Sequence, residues 1–129
     1  MPSRRSSLIE QMLAAFNARD LDGWMAHATE DFTVESRFSS VADTIFRGRE
    51  GVVAWWNDLA DAWEWLEVEL EDSADVGTDR TVILLTMRGT GRKSSVRLDD
   101  SIAHRWYWRG ERVQRIEYLD RQEAELIVR

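Results

Sequence analysis

The sequence predicts an α+β fold. Three observations carry that expectation. Apolar residues recur mostly at helical spacing in the first half of the chain. From residue 66 the spacing becomes alternating, with turn residues between the runs, which is the pattern of an antiparallel meander. The chain has 129 residues, 43% of them hydrophobic, enough for one domain with a proper core. Residues 7–129 are expected to form that domain, with residues 1–6 loosely ordered ahead of it.

The first helix is expected to begin at Ser7. Ser7-Leu8-Ile9-Glu10 has the form of a capping box, and Ile9, Met12, Leu13 and Phe16 follow on one face. Asp20 then caps a short helix over residues 21–28, with Leu21, Trp24 and Ala28 inward. Phe32, Val34, Ser36 and Phe38 alternate with Thr33, Glu35 and Arg37, as in a half-buried strand. Residues 39–43 read as a loop. A third helix spans residues 50–63, with Val52, Trp56, Leu59 and Trp63 on one stripe.

Residues 66–71 alternate strictly between apolar and acidic side chains. They read as a strand whose acidic side faces water rather than a cation. Gly77-Thr78-Asp79 makes a turn, and residues 81–87 read as a central strand buried on both faces. A polar loop over residues 89–95, a strand over 96–108, a tight turn at Arg109-Gly110-Glu111 and a last strand over 112–119 follow. Asp120 caps a terminal helix that runs through Ile127.

Composition restricts function. Seventeen Lys and Arg residues against 24 Asp and Glu leave a net charge of −7. That charge disfavours nucleic acid and anionic membrane surfaces as partners. Cysteine is absent, so there is no thiolate nucleophile and no cysteine-ligated metal. Two scattered histidines make a metal site unexpected, and no glycine-rich phosphate loop is present. No apolar run approaches the ~20 residues of a membrane span, and the start lacks the apolar core of a signal peptide. A cytoplasmic protein is expected. Seven tryptophans exceed what a short chain needs for a core. They suit a ligand cavity, a subunit interface or a bulky core.

The segment Ile102-Ala103-His104-Arg105-Trp106-Tyr107-Trp108-Arg109-Gly110-Glu111-Arg112-Val113, followed by residues 117–124, resembles the C-terminal signature of SnoaL-like proteins. These belong to the nuclear-transport-factor-2-like superfamily, together with the ketosteroid isomerases. Residues 17–24 are similar to the family's junction between the first two helices, and residues 46–51 to the start of its third. The likeness spans residues 7–127. It implies a cone, in which a curved antiparallel or mixed sheet carries helices on its concave face and encloses an apolar pocket. It also implies a small apolar or polycyclic ligand, no cofactor, and a homodimer through the convex face. The family hosts isomerases, cyclases, hydrolases and plain binding modules, so fold does not name a reaction.

Ketosteroid isomerisation needs a carboxylate base, a tyrosine and a neutral aspartic acid. By resemblance those positions fall on Ser36, Met12 and His104, and none matches in kind. An epoxide-hydrolase-like site needs an arginine between two carboxylates. Arg88 is the candidate, but its own segment lacks a second acid. His104 shares a strand face with Ile102, Trp106 and Trp108, and is the foremost candidate for acid–base work near neutral pH. The other reading is a hydrogen-bonded core histidine. Its orienting partner is either Glu117 or the pair Tyr118 and Asp120, depending on strand parity; Asp120 also serves as the helix cap. Met12, Phe16, Trp24, Ser36, Trp56, Trp63 and Trp106 are the expected pocket residues.

Overall fold

The computed structural model describes residues 3–36, 44–93 and 96–129. Among these residues the chain forms α1 (Arg4–Asn17), α2 (Leu21–Met25), β1 (Ala28–Ser36), β2 (Thr44–Arg47) and α3 (Gly48–Ala62). Then come β3 (Trp63–Val76), β4 (Arg80–Gly91), β5 (Arg97–Arg109), β6 (Arg112–Leu119) and α4 (Arg121–Val128). The strands make one curved mixed sheet in the order β2-β1-β6-β5-β4-β3. β1 runs parallel to β6, and the other neighbouring pairs are antiparallel. Register shifts between Leu70 and Asp72 and between Tyr107 and Trp108 are places where a strand bends and twists more sharply.

Several boundaries differ from expectation, each for a local reason. α1 starts at Arg4 because Ser3, not Ser7, is its cap: the Ser3 hydroxyl accepts from the Ser6 amide at 3.0 Å. Residues 4–6 therefore belong to the helix. α2 ends at Met25, and Ala28 opens β1, ahead of the expected start at Phe32. Phe38 and the expected loop 39–43 lie outside the described residues. β2 was not expected, since a four-residue strand is too short for alternation to register. Trp63 opens β3 rather than closing α3. β4 continues through Gly91, absorbing the start of the expected polar loop. Gly89 is buried there, and the close approach requires glycine because a Cβ would stand 2.6 Å from the Trp65 carbonyl oxygen. The β5–β6 hairpin turns at Gly110, whose φ of 62° suits glycine.

The two sheet faces are covered differently. α1, α2 and α3 supply Ile9, Met12, Leu13, Phe16, Trp24, Val52 and Leu59 to the main core. The sheet supplies Phe32, Val34, Leu66, Val68, Ile83, Leu85, Met87, Ile102, Trp106, Trp108, Val113 and Ile116. On the opposite face Val82, Leu84 and Ala103 pack with Ala124 of α4. The apolar outer face, expected to signal a partner subunit, is thus covered in part by this chain's own last helix. Among the described residues, no helix is long and apolar enough to cross a membrane.

Arg121 fastens α4. Its guanidinium donates to the Ile102 carbonyl at 3.1 Å, to Glu71 at 2.7 Å and to Glu125 at 2.9 Å. Glu71 also accepts from the Thr86 and Ser101 hydroxyls. The Thr86 bond and then the Arg121 bond hold the Glu71 carboxyl below its ordinary value of 4.5. The unfolded chain therefore takes up this proton first as pH falls. The contribution of Glu71 is complete above its unfolded value and is lost as pH drops through its lowered folded value. Melting temperature against pH should show an acid limb that flattens in Glu71→Gln; an unchanged limb would show that the network does not couple to stability.

Candidate functional site

A cavity of about 40 Å³ lies between the concave sheet face and the first three helices. α1 contributes Leu13 and Phe16, α2 Trp24, and α3 Trp55 and Leu59. From the sheet come Val34, Val68, Leu85, Met87, His104, Trp106, Ile116 and Tyr118, with Glu35 at the border. As it stands, this space admits a few waters rather than a multi-ring molecule. Tryptophans fill most of what the curved sheet would otherwise leave open.

Trp24 organises the aromatic wall. Its ring packs at centroid distances of 6.4 Å from Phe16, 6.1 Å from Phe32, 5.6 Å from Trp55, 6.1 Å from Trp56 and 6.1 Å from Trp106. It is delivered by a five-residue helix that local hydrogen bonding alone would not sustain. The Asp20 carboxylate caps that helix, accepting from the Gly23 amide at 3.0 Å. The preceding segment is clamped to β3. Asn17 exchanges two 2.9 Å hydrogen bonds with the Val68 backbone. Arg19 donates to the Leu66 carbonyl at 3.2 Å and holds a left-handed φ of 57°.

His104 lines the cavity beside Trp106, as alternation along β5 requires. Opposite it in register is Tyr118 of β6, whose ring meets the imidazole edge-on at 4.8 Å. The parity of β6 is thereby settled: Tyr118 faces the cavity and Glu117 the other side. Glu117 accepts from the Tyr107 hydroxyl at 2.6 Å, and pairs with Arg115 at 2.8 Å and Arg105 at 3.2 Å. It serves the outer face and does not orient His104. Asp120 caps α4 by accepting from the Glu123 amide at 3.1 Å, so it is a structural cap here.

Of the expected pocket residues, Phe16, Trp24 and Trp106 border the cavity. Met12 is fully buried in the core beneath α1, away from the lining. Trp56 packs edge-on against Phe16 at 5.8 Å but stands outside the lining. Trp63 packs at the edge of the core. The Ser36 side chain lies outside the described residues. Trp55 was missed, although Val52, Trp55 and Leu59 also share a helical face; Trp56 was read as the inward member of the adjacent pair. Alternation sets Glu35 on the strand side opposite Phe32 and Val34. It borders both the cavity and an outer cleft lined by Thr33, Ile45, Arg47 and Arg115.

Arg88 does lie between two carboxylates, Glu69 at 3.4 Å and Asp99 at 3.5 Å. These come from the neighbouring strands rather than from its own segment. All three side chains are more than half exposed, on the outer face and outside the cavity. That arrangement cannot activate a water against a molecule held in the cone. Among the described residues no three histidine, aspartate or glutamate side chains are grouped to hold a metal ion.

Residues 9–116 match the family model of the SnoaL-like domain. No curated protein sequence matches the chain significantly. Among solved structures, the chain is similar to TerC co-crystallised with polyporic acid, at 17% identity and a TM-score of 0.78. That match covers 97% of this chain and 98% of the other. An NTF2-like protein of unknown function from Burkholderia pseudomallei is 20% identical, with a TM-score of 0.78 and 98% of each chain covered. A Mycobacterium tuberculosis protein in complex with estradiol-17beta-hemisuccinate is 15% identical, with a TM-score of 0.74 and 95% and 98% covered. At these identities the likeness establishes the fold.

The geometry makes Trp24 the side chain whose removal costs the wall most. Trp24→Ala should lower unfolding free energy by about 3–5 kcal/mol in urea titrations. The same change at half-buried Trp56 should cost distinctly less. Equal costs would show that the aromatic cluster has no centre.

Proposed function

The chain belongs to the SnoaL-like domain family, and from that membership we propose that its cavity binds a small, mostly apolar molecule. In this reading His104 holds or exchanges a proton at the ligand's polar end. The observation that carries the reading is the meeting of His104 and Tyr118, edge to face at 4.8 Å, within a lining otherwise built mainly of aromatic and aliphatic side chains. Support also comes from similar structures that hold polyporic acid and estradiol-17beta-hemisuccinate.

An imidazole titrates near neutral pH and can donate or accept. A ligand hydroxyl can donate to a ring nitrogen of His104, and a ligand carbonyl can accept from a ring N–H. The Tyr118 ring, edge-on at 4.8 Å, fixes one side of the space beside it. The indole wall keeps bulk water from the same atoms, which strengthens each of these bonds. Ligand pockets commonly enclose about 300–1,000 Å³, far more than the space present. Entry therefore requires a side chain to swing aside. Half-buried Trp55 moves at lower cost than Trp24, which is 2% exposed.

The close filling by Trp24, Trp55 and Trp106 also favours a second reading: a non-catalytic module that carries a ligand or dimerises. A homodimer in the cytoplasm, built from one domain over residues 7–129, belongs to either reading. Sedimentation at micromolar protein should then show a species of twice 15.0 kDa; a purely monomeric boundary would contradict the dimer.

The direct test compares wild type with His104→Ala on a panel of small hydrophobic ligands, measuring affinity and turnover. At equal stability the variant should lose about tenfold or more in one of them, the value of one well-made hydrogen bond. If both are unchanged, His104 has no role at the ligand.

A further inference from the structure

Five residues stand in register across the outer sheet face. Arg47 of β2 pairs with Thr33 of β1, Thr33 with Arg115 of β6, Arg115 with Tyr107 of β5, and Tyr107 with Arg80 of β4. Neighbouring strands lie about 4.8 Å apart, so the backbones of Arg47 and Arg115 stand about 10 Å apart, one on each side of Thr33. Two adjoining clefts, of about 160 and 400 Å³, meet here, and Thr33, Arg47 and Arg115 line both. The smaller is completed by Glu35, Ile45 and Ile116, the larger by Asp31, Tyr107 and Gln114.

Two of the three carboxylates around these clefts are engaged by other groups. Asp31 accepts from Arg109 and from Gln114, each at 3.1 Å. Glu117 accepts from the Tyr107 hydroxyl at 2.6 Å and divides its charge between Arg115 at 2.8 Å and Arg105 at 3.2 Å. Arg47 is exposed and enters no ion pair among the described residues. Arg47, Arg105, Arg109 and Arg115 thus outnumber Asp31, Glu35 and Glu117, on a chain whose net charge is −7. Two guanidinium forks with a hydroxyl between them suit a tetrahedral oxyanion, whose three terminal oxygens can reach all three at once. A planar carboxylate offers only two oxygens. We propose that this row is a phosphate site, with Arg47 and Arg115 gripping the phosphoryl oxygens of a phosphate monoester, the Thr33 hydroxyl donating between them, and the organic group lying in the larger cleft. The site is separate from the interior cavity and independent of what that cavity holds.

The test titrates phenyl phosphate and inorganic phosphate into the whole protein by calorimetry, with ionic strength held constant by chloride so that general screening does not vary. Phenyl phosphate should bind at one site per chain, and more tightly than inorganic phosphate. Arg47→Gln breaks no ion pair of the described residues and should weaken phenyl phosphate about tenfold. Arg115→Gln should do the same; should loss of its Glu117 pair unfold that variant, Arg47→Gln decides alone. Arg88→Gln removes a charge from the same face, between Glu69 and Asp99, and should leave binding unchanged. Equal weakening by Arg88→Gln would reduce the effect to net charge and overturn the site. Inorganic phosphate binding as tightly as phenyl phosphate overturns the monoester assignment. Binding of neither probe, as when a second copy of the chain covers this face, overturns the proposal outright.

Discussion

The structure depends on burying one indole. Trp24 sits on a helix of five residues, yet it touches rings from α1, β1, α3 and β5. Those contacts tie the helical layer to the concave sheet face. They make α2 stable by tertiary packing, since five residues cannot hold a helix by their own hydrogen bonds. The polar clamps that precede it, Asn17 on the Val68 backbone and Arg19 on the Leu66 carbonyl, set where the indole enters. Apolar area supplies the energy and the clamps supply the register.

The opposite face is solved with different chemistry. Val82, Leu84 and Ala103 need cover, and α4 provides it with Ala124. Beyond that small patch the face is a lattice of charge pairs: Arg88 with Glu69 and Asp99, Arg105 and Arg115 with Glu117, Arg121 with Glu71. Exposed pairs of this kind contribute little individually. Arg121 is different because it also satisfies a backbone carbonyl and joins three elements. The asymmetry leaves His104 and Tyr118 at the cavity while the paired carboxylates stay outside the cone.

Much of this was legible in residue order. The 3.6-residue spacing of Ile9, Met12, Leu13 and Phe16 announces the buried face of α1, and period-two spacing from Ile102 to Trp108 puts His104 beside Trp106. Local caps were readable at Asp20 and Asp120, where a carboxylate directly precedes a helix, but not at Ser3, because Ser7 offered a better-looking motif. Two features depended on tertiary context. The parity of β6 was open until its register with β5 put Tyr118, and not Glu117, opposite His104 on the inner face. The inward member of Trp55 and Trp56 depended on how α3 is rotated over the sheet. The Arg88 pairs were hidden because their carboxylates come from flanking strands, which sequence spacing does not join.

A curved sheet and an indole wall enclose a small, mostly apolar, nearly filled space beside His104, and the proposed role requires an apolar molecule to enter it. Xenon is small enough to enter without displacing a tryptophan and has no polar requirement of its own. Diffraction from xenon-pressurised crystals is therefore the most direct measurement. The account predicts a xenon peak enclosed by Phe16, Trp24, Trp55 and Trp106, with the His104 ring turned toward it. A concave face with no xenon peak, or an imidazole turned out into solvent, would contradict it.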